Sequence, residues 1–174
     1  MKNRLVFSTV FLFGLCLIAF LGTSHSGAQE AEVEGIKVLS IPGPAFEMPG
    51  NLVAYTNYGV LSLNAGSEYV RAPLILPNNT SIKKVKLVCK DNSAAGDIRM
   101  WIHVFSNNMA ESFTLCELSS TGAEDSYRVF VTTAISPRKL NTDKYNYILN
   151  VHLPGTGSDG FEIVAAKIYY AGGW

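Results

Sequence analysis

Alternate residues of one short run, Arg99, Trp101, His103 and Phe105, gather a guanidinium, an indole, an imidazole and a phenyl ring. If the run is extended, these four side chains stand on one side of it, because successive side chains of a strand point to opposite faces. A flat aromatic flanked by hydrogen-bonding groups is a surface on which a sugar stacks or a protein partner anchors. A second run, 144–153, carries Asn146, Asn150 and His152 at compatible spacing. Arg99, Trp101, His103, Asn150 and His152 are therefore the candidate ligand-binding residues, provided the two runs lie in one sheet. The competing expectation is that Trp101 and Phe105 pack under a loop or face the core, with Ile98 and Met100 on the other side.

Other chemistry is mostly excluded by residue type and spacing. After residue 28 the chain has two histidines, His103 and His152, and two cysteines, Cys89 and Cys116, without the close ligand pairs of a structural zinc site. The loop Asp91-Asn92-Ser93-Ala94-Ala95-Gly96-Asp97 offers oxygens but not the ligand order of an EF-hand, and reads as a solvated turn. Neither a metal nor a cofactor is expected. Ser81-Ile82-Lys83-Lys84 has a serine-x-x-lysine spacing, yet on a strand residues three apart face opposite sides, so Lys84 does not serve Ser81. Glu124-Asp125 falls in a loop, whereas a glycosidase needs two carboxyl groups opposed across a cleft. No catalytic residue is assigned.

The elements that must position these residues follow from a two-residue apolar period, which signals strands. In 97–106, Ile98, Met100, Ile102 and Val104 take one face; in 144–153, Tyr145, Tyr147, Leu149, Val151 and Leu153 do. Further strands are expected at 52–55, 60–63, 69–76, 82–90, 113–118, 127–135 and 161–170, with a weaker one at 36–41. Turn formers separate them, among them Asn57-Tyr58-Gly59, Asp91-Asn92-Ser93, Ser106-Asn107-Asn108 and Pro154-Gly155-Thr156-Gly157. Short strands with turn signals every 10 to 15 residues, and no 3.6-residue period after residue 28, predict an all-β antiparallel two-sheet sandwich, jelly-roll-like, of about eight to ten strands. Leu-Pro closes two of these runs, at Leu76-Pro77 and Leu153-Pro154, as fold punctuation.

Compartment is read from the first residues. Lys2 and Arg4 precede an apolar run from Leu5 to Gly22, and Ser26-Gly27-Ala28 offers small residues, which together predict a secretory signal cleaved between Ala28 and Gln29. The alternative is an uncleaved anchor, since that run approaches the ~20 residues of a membrane span. Cys16 lacks small residues before it and reads as filler of the signal. The domain reading is then 1–28 signal peptide, 29–50 extended N-terminal arm and 51–174 β-sandwich. Removing Lys2 and Arg4 leaves 14 − 2 = 12 basic residues against 14 acidic ones. The positive field that dominates nucleic-acid binding is missing, and Lys83, Lys84, Lys86 and Lys90 read as a solvated strand face. In an oxidising compartment the remaining cysteine pair predicts a Cys89–Cys116 disulfide, with two separate buried thiols as the alternative.

Three stretches carry a resemblance: Tyr69-Val70-Arg71-Ala72-Pro73-Leu74-Ile75-Leu76-Pro77; the strand 82–90 with Asp91-Asn92-Ser93; and the ending Lys167-Ile168-Tyr169-Tyr170. Over most of 52–170 the chain resembles uncharacterised exported bacterial β-sandwich proteins, which implies the same fold and a periplasmic or secreted location, and no activity. The expectation is an exported, non-catalytic binding or structural module of the envelope or extracellular space, with carbohydrate or another envelope component as partner. Three alternatives accompany it: a carbohydrate-binding module using the Trp101 face, a small outer-membrane β-barrel, and a secreted hydrolase without a linear motif. A membrane partner is expected only for the anchor or the barrel.

Overall fold

The computed structural model describes residues 35–48, 53–55, 59–63, 67–94, 96–155 and 160–173. The chain divides into residues 1–31, which carry the expected signal and cleavage site and lie outside the described residues, and a unit from Glu32 to Trp174 that holds every element below.

Among the described residues ten strands form: β1 Lys37–Pro42, β2 Val53–Tyr55, β3 Leu61–Leu63, β4 Glu68–Pro73, β5 Ser81–Asp91, β6 Arg99–Ser106, β7 Ser112–Ser119, β8 Glu124–Thr132, β9 Tyr145–Leu153 and β10 Phe161–Ala171. One sheet has the order β2-β3-β10-β5-β8, with β1 also paired to β10; the second has the order β4-β9-β6-β7, and every pairing is antiparallel. From β3 to β10 every connection crosses between the sheets except the β6–β7 hairpin, so these eight strands fill the two four-stranded layers of a jelly roll. The expected all-β sandwich is what forms. The closed membrane barrel is not, because two separate sheets keep free edges and bury their apolar faces against each other.

The core lies between the sheets. Ile82, Val85 and Leu87 of β5 and Ile163 and Ile168 of β10 meet Met100, Ile102 and Val104 of β6 and Leu149, Val151 and Leu153 of β9, all buried. The larger sheet is fastened to the smaller by a polar link at one end. Ser120 Oγ–H donates to the buried Asp91 carboxylate at the end of β5, and the Ile98 N–H donates to Ser120 Oγ at 2.7 Å. The Ser93 N–H donates to the other Asp91 oxygen at 3.2 Å. These bonds satisfy a carboxylate that burial would otherwise penalise, and they fix the entrance to β6.

Three elements differ from the sequence reading. β8 runs from Glu124 to Thr132 rather than 127–135, so Glu124-Asp125 opens a strand instead of lying in a loop, and its carboxylates pair with Arg128 at 3.5 Å and Lys90 at 2.6 Å. β4 ends at Pro73; the Leu74 N–H still donates to the Tyr147 carbonyl of β9 at 2.9 Å, and 75–77 then lie outside the strand, with Leu74 and Leu76 buried and Ile75 exposed. In β7 a bulge interrupts the two-residue period. Ile102 faces Cys116 whereas His103 faces Thr114, so Leu115 is the extra residue and both Leu115 and Cys116 are buried.

The expected disulfide does not form: Cys89 and Cys116 are free, buried thiols. Cys89 belongs to β5 of the larger sheet and Cys116 to β7 of the smaller. Facing sheets stand about 10 Å apart, beyond the Cα spacing of roughly 4.4–6.8 Å that a disulfide spans, unless the layers pinch together. Burial is also the main reason their thiol pKa values rise, to about 12 for Cys89, with Asp91 adding, and to about 11 for Cys116.

Candidate functional site

The inward residues of the four-stranded sheet are apolar, so the outward ones define its second face, and the strand register arranges them in rows. Tyr69, His152, Arg99 and Ser119 lie across the first row; Arg71, Asn150, Trp101 and Glu117 across the second; Pro73, Ile148, His103 and Thr114 across the third; Asn146, Phe105 and Ser112 across the fourth. All five residues singled out from the sequence, Arg99, Trp101, His103, Asn150 and His152, thus stand on one face, because β6 and β9 are neighbours with every second residue facing out. Trp101 and Phe105 do not enter the core; both are half-buried on this outer surface.

The rings form a continuous chain. Tyr69 stacks on His152 with centroids 4.5 Å apart, and its edge meets Trp101 at 5.9 Å. Trp101 meets His103 at 5.7 Å, and His103 meets Phe105 at 5.7 Å, both edge-to-face. Around the first two rows is a shallow cavity of about 550 Å³, lined by Tyr69, Asp97, Arg99, Trp101, Glu117 and His152 together with Thr114 and Pro154. Tyr69 is 49 % exposed, and it presents an aromatic side chain to solvent beside charged and polar groups.

The electrostatics of this face favour neutral rings. Burial lowers the pKa of His103 below its ordinary value of 6.5. His152 is lowered first by burial and then by the neighbouring Arg99 guanidinium, with Glu68 opposing. Ser67 Oγ is hydrogen-bonded to His152 Nε2 at 2.7 Å, which fixes the imidazole plane under Tyr69. The Trp101 Nε1–H is buried with no acceptor among the described residues. Arg71 and Arg99 are exposed and make no ion pair with a described residue. Among the described residues no group of three or more His, Cys, Asp or Glu side chains is placed to hold a metal ion.

Sequence reasoning missed Tyr69, Arg71, Thr114 and Glu117. The alternation of Tyr69 and Arg71 with the apolar Val70 and Ala72 was legible, but which strand would neighbour β9 was not. Thr114 and Glu117 were hidden by the bulge, which breaks the period-two pattern between them.

No protein-family model matches the chain, and no curated protein matches it. Solved structures do resemble it. The CBM36-1 domain of a multidomain xylanase, from the hindgut metagenome of Trinervitermes trinervoides, is similar with a TM-score of 0.51 at 14% identity, over 78% of this chain and 99% of that domain. The C-terminal CBM6 of LamC, a marine laminarinase from Zobellia galactanivorans, gives a TM-score of 0.49 at 14% identity, over 76% of this chain and 98% of that one. At such identity the likeness to the first of these, a β-sandwich carbohydrate-binding module, is one of fold alone.

Proposed function

We propose that this protein is a non-catalytic carbohydrate-binding module of the cell envelope or extracellular space, exported by a leader of residues 1–28 that is removed before Gln29. The observation that carries the reading is the outward ring chain from His152 through Tyr69, Trp101 and His103 to Phe105. Aromatic faces match the apolar C–H faces of pyranose rings, and the polar groups beside them, Arg99, Asn150, Glu117 and Asp97, supply the hydrogen bonds that fix orientation. The fold shared with a xylanase's carbohydrate-binding domain supports the same reading. Nothing in this role needs a nucleophile or a general acid.

The test is affinity electrophoresis against a panel of soluble plant, bacterial and marine polysaccharides, followed by calorimetry on those that retard the protein. Retardation by at least one polysaccharide, abolished in Trp101→Ala and Tyr69→Ala variants that keep the wild-type melting temperature, is the expected result. Failure of the whole panel, or retardation indifferent to both substitutions, overturns the assignment of this face; release of reducing ends from a bound polysaccharide overturns the non-catalytic reading. Intact mass of the exported protein, starting at Gln29, tests the leader.

A further inference from the structure

The same outer face changes character along β6. Beyond His103 the ring chain reaches Phe105, and Phe105 walls a second groove of about 620 Å³ whose other walls include Ile75, Met109, Ile148 and Pro73. Where the first cavity is bordered by carboxylates and histidines beside Arg99, this one is bordered mainly by apolar side chains, together with Arg71, Thr142 and Asn146. Ile75 is 81 % exposed and Met109 73 % exposed, the two most exposed large hydrophobic residues among those described.

Both residues sit where a polar side chain would be easier to accommodate. Ile75 is the outward member of an alternating segment whose Leu74 and Leu76 are buried, so its side chain contributes nothing to the core. Met109 is at the tip of the β6–β7 hairpin, closing a turn by donating its N–H to the Ser106 carbonyl at 2.8 Å, with a backbone φ of 59°. Left-handed backbone is unfavourable for a side chain such as methionine and tolerated best by glycine or asparagine. A strained, exposed, apolar residue poised over a groove is the kind of outlier from which function is inferred.

Resting on the carbohydrate reading above, we infer that the ligand is a saccharide carrying an apolar substituent, such as an acyl chain, with its sugar over Tyr69 and Trp101 and its substituent in the Ile75–Met109–Phe105 groove. The two regions share one sheet face and are joined by the Trp101–His103–Phe105 rings, so a single molecule can occupy both without leaving the surface. Because the groove is continuous with the sugar site through these rings, the occupant is an acylated saccharide, and membrane docking is an outcome of the test.

The test titrates the full chain with paired methyl and n-octyl β-glycosides of glucose, galactose, mannose and xylose, below their micellar concentrations, followed by tryptophan fluorescence and calorimetry. Each methylene removed from water contributes about fourfold in affinity when fully buried, so even partial burial of an octyl chain gives about tenfold or more over the methyl partner. Ile75→Asp and Met109→Asn should each remove most of that gain while leaving methyl-glycoside affinity within about twofold, and Trp101→Ala should weaken both ligands. Met109→Asn should unfold at an equal or higher temperature, which separates loss of the groove from loss of the fold. Equal binding of octyl and methyl partners overturns the inference and leaves the carbohydrate reading standing. No binding by any octyl glycoside overturns the inference, while the carbohydrate reading stands or falls on the polysaccharide panel above. An octyl gain that survives both groove variants overturns the placement, and sedimentation with plain phosphatidylcholine vesicles overturns the acylated saccharide in favour of membrane docking.

Discussion

The imidazole of His152 lies under the phenol ring of Tyr69, centroids 4.5 Å apart and planes 29° from parallel, although the two residues come from β9 and β4. Ser67 Oγ is hydrogen-bonded to Nε2 of that imidazole, so the exposed Tyr69 ring rests on a support fixed by a hydrogen bond. Rings held this way lose little freedom when a ligand arrives, which favours affinity through preorganisation.

Acid should loosen this face. In the folded protein His103 and His152 titrate below the 6.5 they regain on unfolding. Between those two values the unfolded chain binds more protons, so stability rises with pH: their contribution is intact above about 6.5 and is lost as pH falls through the folded values. The melting temperature should be lower at pH 5.5 than at pH 7.5, and the His103→Gln/His152→Gln double variant should flatten that difference. An unchanged slope in the double variant would assign the acid sensitivity elsewhere.

Trp101 carries a buried N–H without an acceptor among the described residues. Such a group costs about 1–3 kcal/mol, so Trp101→Phe, which deletes it at the expense of some packing, should change unfolding free energy by less than about 1 kcal/mol. The ring chain survives in that variant and ligand retention should fall far less than in Trp101→Ala. Chemical denaturation and affinity electrophoresis on the two variants read both effects; a phenylalanine variant as inactive as the alanine one would assign the N–H itself to ligand.

The link through Ser120 should govern both stability and site geometry. Ser120→Ala removes a donor to buried Asp91 and an acceptor for the Ile98 N–H, leaving two buried groups unsatisfied and costing about 2–4 kcal/mol in urea unfolding. Because Ile98 immediately precedes β6, the Arg99 and Trp101 resonances should shift in the folded variant. A change below 0.5 kcal/mol would mean that water replaces the hydroxyl.

Cys89 and Cys116 should behave as inert thiols. With pKa values near 12 and 11 and little access, neither should react with iodoacetamide in native protein at pH 8. After unfolding without reductant both should be alkylated, visible as two added masses. Protection of both in the unfolded chain would restore the disulfide.

Most of the fold was legible because the core pattern is regular: Ile98, Met100, Ile102 and Val104, and Tyr147, Leu149, Val151 and Leu153, alternate without interruption and are buried as that alternation demands. The site was half legible for the same reason. Arg99, Trp101 and His103 share a face by arithmetic on one strand, whereas Tyr69 joins them only through the pairing of β4 with β9, a long-range choice that no local spacing encodes. The β7 bulge shows the second limit. One extra residue, Leu115, reverses which side chains face out, and nothing in the segment Ser112–Ser119 marks where the reversal occurs.

The pairing of Lys37 with Tyr170 has a practical outcome. It brings the first and last strands of the described domain side by side in the larger sheet, while the ring chain lies on the outer surface of the other. The domain therefore enters and leaves at one place, on the sheet opposite its ring face. It is suited to insertion into a host protein's surface loop, or to end-to-end closure with a new opening elsewhere. A sensor built that way, with reporter modules hung from the joined ends, would leave Tyr69 and Trp101 facing open solution.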